Sequence, residues 1–298
     1  MANQRTFQAQ ALVLNGVAAG GLASMSFEAR FTPLESTPDG AIGTEDVDRH
    51  SLDVNVNIQC TDVAKVNAIL DAAVGNTTFS GKESGATTWH NYTVAGIVIT
   101  GCSLDLRKGA DATLGLTGKV RFATPAADLD EVILLTGAVG TPPTLTYPAR
   151  LYRPNTASFD PDGAPAAIAP IHVESVALAL AANVISDSND ADVGMTAVDI
   201  AGWRSLQTTL VYRDAKAVSP SHITAQLLAA VRGNLTVSLL GRGGAANKVL
   251  TVNNCLWTGA NQREGAEYAE FTLRGNSGWK NAATVYTLNG TPKLFDIA

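Results

Sequence analysis

The chain has 298 residues, of which 46% are apolar and only 16% are charged, against roughly 25% charged residues in an average soluble domain. This composition excludes intrinsic disorder, which needs low hydrophobicity and high charge. A net charge of −6 argues against a protein that binds nucleic acid by neutralising its phosphates. No apolar run approaches the roughly 18 residues of a membrane span, so we expect no membrane partner.

The first apolar stretch, residues 11–23, is interrupted by Asn15 and Gly16. An Asn-Gly pair between short apolar runs favours a two-residue hairpin turn over the core of a signal peptide. Two amphipathic strands follow, over residues 24–31 and 51–59, and the stretch 35–48 between them reads as a long loop or an extended hairpin tip. Their polar faces carry Ser24, Ser26, Glu28, Arg30, Asp53, Asn55, Asn57 and Gln59.

One helix is predicted after the second strand. Thr61 or Asp62 is placed to cap it, apolar residues recur at helical spacing from Val63 to Ala73, and Gly75 stands where a left-handed C-cap is expected. Short β segments follow at 77–80, 92–100, 102–106 and 113–122.

Proline then dominates the sequence between residues 123 and 170. Eight of the twelve prolines lie there: Pro125, Pro142, Pro143, Pro148, Pro154, Pro161, Pro165 and Pro170. Proline at this density disfavours long helices and central strands, so this segment is predicted to be a connector that crosses a surface.

The rest of the chain repeats its first part. Residues 50–59 match 204–213, 69–76 match 226–234, Cys102 matches Cys255, and 107–112 match 263–268, in the same order and at nearly constant offsets. We therefore predict a duplicated unit: residues 1–122 and 171–298 are the copies, and 123–170 join them. The second copy is expected to have strands at 175–183 and 205–213, a loop at 186–199, a helix from Ser219 to Gly233, and later strands at 235–240, 248–257 and 267–274.

The predicted fold class is therefore mainly β: two tandem units, each an antiparallel barrel or sandwich with one packed helix. Motifs for catalysis are absent from the sequence. The four histidines are scattered, no His-Glu-x-x-His or Gly-x-Ser-x-Gly occurs, and the glycine-rich stretch 241–248 lacks the order of a phosphate-binding loop. Three cysteines, Cys60, Cys102 and Cys255, are too few for a disulfide framework and indicate a reducing compartment. We expect no enzyme, no cofactor and no metal site.

A duplicated, charge-poor unit with two amphipathic strands, a long loop between them and one helix resembles the tail-tube proteins of long-tailed bacteriophages. In that family the paired strands of neighbouring subunits close into a β-barrel ring, and the long loop contacts the next ring. Some flexible-tailed phages fuse two copies, so that three chains build a ring with pseudo-sixfold symmetry. The resemblance covers nearly the whole chain and rests on its organisation.

The resemblance implies that the polar strand faces line the lumen of the ring. These residues are Ser24, Ser26, Glu28, Arg30, Asp53, Asn55, Asn57 and Gln59 in the first unit, and Ser175, Asn183, Gln207, Thr209 and Arg213 in the second. Ala177, Ala179, Ala181 and Val211 depart from this pattern, so either the register is shifted by one there or the second unit lines the wall less strictly. In a free monomer the same faces would simply meet solvent. Inter-ring contacts would involve Glu35, Asp39, Glu45, Asp46, Asp187, Asn189 and Asp192.

The expected function is that of a structural virion protein, located in the phage tail and assembled in the host cytoplasm. Its partners would be copies of itself in stacked, homotrimeric rings, other tail proteins, and DNA that passes transiently and without specific binding. A neck, tail-terminator or baseplate component of the same fold is an alternative. Another is a non-viral β-sandwich binding module, whose aromatic patch would draw on Trp89, Tyr92, Trp203, Trp257 and Trp279.

Overall fold

The structure, a computed structural model, describes residues 7–36, 46–83, 86–94, 96–122, 138–141, 152–161, 172–187, 194–215, 230–241, 246–264 and 268–298. The protein is mainly β, as the sequence predicts, and the pairs between named strands in the described residues are antiparallel. We call residues 7–122 the first half and residues 152–298 the second half.

The first half contains a series of strands interrupted by one short helix. The strands are β1 (Phe7–Leu14), β2 (Val17–Ala19), β3 (Leu22–Ser36), β4 (Asp46–Cys60), β5 (Thr77–Glu83), β6 (His90–Val94), β7 (Ile97–Arg107) and β8 (Thr113–Val120). The helix α1 (Val66–Asp71) lies between β4 and β5, and a two-residue strand, β9 (Ala138–Val139), follows the first half. The predicted strand 92–100 is thus divided between β6 and β7, which belong to different sheets.

The described part of the second half contains strands and no helix. They are β10 (Tyr152–Pro161), β11 (His172–Asp187), β12 (Ala197–Trp203), β13 (Leu206–Ala215), β14 (Arg232–Gly241), β15 (Lys248–Glu264), β16 (Tyr268–Ser277), β17 (Lys280–Asn281), β18 (Thr284–Val285) and β19 (Phe295–Ile297). Most of the predicted second helix, up to residue 229, lies outside the described residues.

The largest sheet runs through both halves. Its strands follow the order β10-β14-β15-β16-β13-β11-β7-β8-β4-β3, and β12 and β19 pair with β11 and β15 beside this path. The two halves meet where β7 pairs with β11, in a register that places Arg107 opposite Ser175 and Gly101 opposite Ala181. The halves are therefore joined by a continuous ladder of strands. We call this large sheet the main sheet.

Both halves use the same order of strand pairing. In the first half the order is β3-β4-β8-β7, and in the second half it is β11-β13-β16-β15, with the strands in the same sequence along the chain. An earlier strand in each half also has an equivalent partner, because β1 pairs with β5 and β10 pairs with β14. The same order of strand pairing in both halves agrees with a repeated structural unit. That the repeat arose by gene duplication stays a prediction.

The hairpin predicted at Asn15 and Gly16 is present. Leu14 lies opposite Val17, and the two residues between them have positive φ angles of 49° and 83°. A turn of this kind matches the twist of the flanking strands, and Asn and Gly are the residues that adopt it most easily. Asn15 also fixes the turn to the body: its amide donates to the Ile97 carbonyl at 2.8 Å and accepts from the Gly75 N–H at 3.2 Å.

The helix after β4 is shorter than its pattern predicts, and its predicted caps are wrong. A 3-10 turn covers Val63–Lys65, and α1 ends at Asp71, followed by Ala72 in an extended conformation. Asp62 makes no capping hydrogen bond; its carboxylate accepts the Gly20 N–H at 3.3 Å instead. This competing tertiary partner explains why the local capping signal fails.

The C-terminal part of the predicted connector is a strand. Tyr152–Pro161 forms β10 at the end of the main sheet, where it pairs with β14. Its prolines, Pro154 and Pro161, are tolerated because an edge strand has one side that needs no ladder donors. The prolines at positions 125, 142, 143, 148, 165 and 170 lie outside the described residues.

One core cluster contains buried side chains from both halves. The smaller sheet, of order β2-β1-β5-β6-β9, contributes Leu12 and Leu14, and the main sheet contributes alternate residues such as Leu52, Val54 and Leu210. The ring centroids of Phe27 and Phe79 lie 6.4 Å apart, between β3 and β5. The apolar side of the main sheet therefore faces the core, and its opposite side remains accessible.

Candidate functional site

The accessible side of the main sheet begins on β3 and β4 with the residues that the alternation predicts. Ser24, Ser26, Glu28 and Arg30 are exposed, as are Asn57 and Gln59, and Asp53 and Asn55 are half-buried. They form four cross-strand pairs: Ser24 with Gln59, Ser26 with Asn57, Glu28 with Asn55, and Arg30 with Asp53. All eight predicted residues of the first half therefore share one face, which we call the polar face.

The polar face continues across β8 and β7, beyond the predicted site residues of the first half, which lie on β3 and β4. Asn55 lies opposite Lys119, Asn57 lies opposite Thr117, and Ser103 and Asp105 continue the face on β7. The alternation of apolar and polar residues in β8 could have predicted this extension, because alternate residues of β8 are buried and the residues between them are half-buried or exposed.

The face crosses the join between the halves and spreads over β13 and β16. Ala177 lies opposite both Asp105 and Thr209, and Gln207 lies opposite Asn276. Arg213 lies opposite Glu270. The predicted residues Ser175, Gln207, Thr209 and Arg213 are thus on the polar face. Asn183 lies further along β11, where that strand pairs with β12 instead of β13.

The register of β11 is the one that the alternation predicts. Val176, Leu178 and Leu180 are buried, while Ala177 is half-buried and Ala179 and Ala181 are exposed. A register shifted by one would reverse this pattern. The second half therefore presents small apolar side chains within an otherwise polar surface.

Several charged groups on the polar face are paired with one another, although the exposed Arg274, opposite Thr209, has no ion pair among the described residues. The Arg30 guanidinium lies 2.5 Å from Glu28, the Lys119 ammonium 2.6 Å from Asp53, and the Arg107 guanidinium 2.7 Å from Asp105. Near the join, Glu174 lies 3.5 Å from Lys108 and 3.9 Å from Arg213, which also reaches Glu270 at 3.6 Å. Each of these carboxylates has a cation beside it, so this part of the face has little net field to attract or repel a polyanion.

Three of the residues predicted to make inter-ring contacts are described, and they lie at strand ends next to the predicted loops. Glu35 and Asp46 belong to the last pairs of β3 and β4, opposite Val47 and Ser36, and Asp187 is the exposed last residue of β11. The strands thus continue into both predicted loops. Asp39, Glu45, Asn189 and Asp192 lie outside the described residues.

The three cysteines are buried and have no disulfide partner. Burial raises the pKa of Cys60 to about 11 and the pKa of both Cys102 and Cys255 to about 12. The thiols are therefore protonated at neutral pH and are poor nucleophiles. Across the described ranges, no group of three or more His, Cys, Asp or Glu side chains is arranged to hold a metal ion.

The aromatic residues considered for a binding patch are not equally accessible. Trp257 is only 4% exposed and packs against Phe159, with ring centroids 5.1 Å apart. The Trp279 indole donates to the Arg204 carbonyl at 2.8 Å, and the Lys82 ammonium lies 5.0 Å from the centre of the Trp89 ring. Trp257 cannot contribute to a surface patch, which weakens the case for an aromatic binding module.

These observations define a mainly β protein whose largest sheet has one apolar, buried side and one polar, accessible side. Comparison with known proteins adds no identification: no family model matches the chain, and no curated protein matches it either. In the described part of the chain, none of the helices has the length and apolar character needed to cross a membrane.

Proposed function

We propose that this chain is the structural subunit of a bacteriophage tail tube, in which copies join edge to edge into stacked rings around a channel for DNA. The observation that carries the proposal is the polar face: it extends over both halves, and its carboxylates are paired with cations of the same chain. A channel for DNA needs a wettable wall that does not bind phosphate strongly, since a positive wall would retain the polyanion.

The two ends of the strand order β3-β4-β8-β7-β11-β13-β16-β15 support assembly. Among the described residues, the strand ladder of β3 is formed with β4, and that of Trp257–Glu264 in β15 is formed with β16. Strands at the end of a sheet invite association with another chain. Since β3 and β15 are different surfaces, their pairing between copies would be head to tail, and such a contact generates a ring when its rotation closes.

The join between β7 and β11 supplies the precedent within one chain. There, the last strand in the order of the first half pairs with the first strand in the order of the second half. Pairing of β15 with β3 of a neighbouring copy repeats this relationship between chains. β11 and β3 hold the same place in the strand orders of the two halves. Val176 and Leu178 of β11, which pairs with β7, are buried, whereas Phe27 of β3 is half-buried and Ala29 is exposed. Pairing with β15 of a neighbouring copy would cover these two side chains of β3.

The dimensions are compatible with a channel. Eight strands per copy and three copies give about 24 strands, and strands about 4.8 Å apart and tilted by about 40° close into a barrel about 48 Å across between backbones. Inward side chains reduce the free width to roughly 35 Å, which exceeds the width of a DNA duplex. A single copy cannot close such a barrel, so the proposed function requires assembly.

Electron microscopy of the purified protein, combined with mass measurement in solution, tests the proposal. We expect rings or tubes with a central hole wide enough for duplex DNA. A protein that stays monomeric at high concentration and joins no particle would overturn the proposal.

A pair of proline variants tests whether the β3 edge forms the contact. Successive N–H groups of a strand point to opposite sides, so Ser26→Pro and Ala29→Pro remove donors on different sides of β3. One variant is expected to weaken pairing with β4 and lower stability, while the other folds normally but no longer assembles. Normal rings from both variants would contradict edge pairing through β3.

A further inference from the structure

Residues 293–297 connect elements of both halves. Within the second half, Phe295–Ile297 forms β19 and pairs with β15, which places Val252 opposite Phe295 and Leu250 opposite Ile297. Backbone hydrogen bonds extend this pairing, since the Asn253 N–H donates to the Leu294 carbonyl at 2.9 Å. Leu294 is fully buried, and Phe295 is 3% exposed. The segment is therefore firmly anchored in the second half.

The polar side chains of the same segment contact α1 of the first half. The Lys293 ammonium lies 2.9 Å from the Asp71 carboxylate, and the Asn67 amide donates to the Asp296 carboxylate. Both members of the ion pair are about three-quarters shielded, with exposed fractions of 26% and 30%. Partial shielding makes such a pair less sensitive to screening than a fully exposed one. We call residues 293–297 the clasp.

The clasp differs from the other joins between the halves. The main join is the ladder between β7 and β11, and beside it the Phe122 N–H donates to the Met195 carbonyl at 3.1 Å. A ladder of backbone hydrogen bonds holds two strands together but tolerates a range of twists between them. A bridge between Leu52 and Gly194 and a shared core also connect the halves. The clasp adds a polar join between different elements, the helix of one half and the last strand of the other, and so further restricts rotation of one half against the other.

We propose that the clasp fixes the angle between the two halves and thereby the curvature of the main sheet. The link to ring size rests on the proposed function, because curvature per copy decides how many copies close a ring. Lys293, Asp71, Asn67 and Asp296 act here as positioning residues, and none of them lies on the polar face described above.

The test variant combines Lys293→Met with Asn67→Ala and removes both polar contacts of the clasp. The matched control is Ser80→Ala, which removes the Ser80–Asn91 hydrogen bond, a side-chain contact confined to the first half and away from the polar face. Spin labels at Asn57→Cys and Ser205→Cys, two exposed positions in different halves, report the distance between the halves by pulsed electron resonance. The buried native thiols stay unlabelled, and dilution with unlabelled protein suppresses signals between copies.

We expect a broadened distance distribution in the clasp variant and an unchanged one in the control. Thermal unfolding verifies that each variant is folded, and Lys293→Met alone replaces the double variant if the latter does not fold. The charge exchange Asp71→Lys with Lys293→Asp restores an ion pair, so its distance distribution is expected to be narrower than that of the clasp variant. An equally narrow distribution in the folded clasp variant would overturn the proposal.

The assemblies give the second readout. Native mass measurement of the clasp variant is expected to show several ring sizes or open arcs, whereas the wild type and the control give one size. Uniform rings despite a broadened distance distribution would refute the link between the clasp and ring size. If the wild type forms no assembly while the clasp variant still broadens the distribution, the tail-tube proposal fails and the clasp's control of the angle stands.

Discussion

The Lys119 ammonium lies 2.6 Å from the Asp53 carboxylate, diagonally across β8 and β4 on the polar face. The exposed fractions of the two side chains are 21% and 27%, so the pair is partly shielded from water. Asn55, which is directly opposite Lys119, separates this pair from Asn57 along the same strand. The lysine is thus neutralised within the chain before any polyanion approaches.

A double-mutant cycle on this pair is expected to give a small coupling free energy. Lys119→Met and Asp53→Asn should each lower the free energy of unfolding by about 1 kcal/mol or less, because partly exposed ion pairs contribute little. Denaturant unfolding of the two single variants and the double variant measures the coupling, which should diminish at high salt. A coupling that does not respond to salt would show that the two side chains act through packing instead of charge.

If the chain forms the proposed tail tube, excess positive charge on the polar face is expected to slow the passage of DNA. Asn55→Lys with Asn57→Lys adds two cations per copy at half-buried and exposed positions, so the fold should be retained while phosphates are held at the wall. Particles that carry this variant should release DNA more slowly, and more so at low salt. Asn55→Ser with Asn57→Ser is the matched control and should behave as the wild type. An unchanged release rate in the lysine variant would contradict the proposal that Asn55 and Asn57 line a DNA channel.

Local patterns predicted the strands well because their cause is local. Leu52, Val54, Val56 and Ile58 alternate with polar residues, and this period of two fixes both the strand and the side that is buried. The turn at Asn15 and Gly16 was predictable for the same reason, since its backbone angles suit these two residues.

Features that depend on distant partners were missed. Asp62 follows a capping pattern, yet its carboxylate accepts the N–H of Gly20, which follows β2 and is 42 residues away, and α1 ends before Gly75. The strand β10 was hidden by its prolines, because sequence alone does not show which strand lies at an edge. The clasp depends on contacts between residues more than 200 positions apart, and no periodicity records such a contact.

The native cysteines are expected to resist thiol reagents. Burial raises the pKa of Cys102 and Cys255 to about 12 and that of Cys60 to about 11, so almost no thiolate is present at pH 8. A colorimetric thiol assay should detect almost no reactive thiol in the folded protein and all three in denaturant. Rapid reaction of one cysteine under native conditions would mean that its strand opens locally.

Asp62 is expected to make the protein less stable as the pH rises from acid toward neutral. Burial raises the pKa of Asp62 in the fold, against the opposing effects of the Gly20 N–H and Lys65. Between the ordinary pKa near 3.8 and the raised value, the folded state binds more protons than the unfolded state, so this contribution to stability is lost as the pH increases. Asp62→Asn removes the titration, and the variant should gain stability relative to the wild type over that window and keep a constant difference above it. Parallel pH profiles for the two proteins would exclude a raised pKa.

Substitution of Gly16 is expected to lower stability through its backbone conformation alone. A Cβ atom added there meets nothing within 4 Å, but its φ angle of 83° is one that L residues rarely adopt. Gly16→Ala should therefore lower the free energy of unfolding by about 1 kcal/mol. Gly202→Ala is the matched control, since that glycine also has open space and lacks a positive φ angle, and it should be neutral or slightly stabilising. Equal effects of the two substitutions in denaturant unfolding would contradict the turn conformation at Asn15 and Gly16.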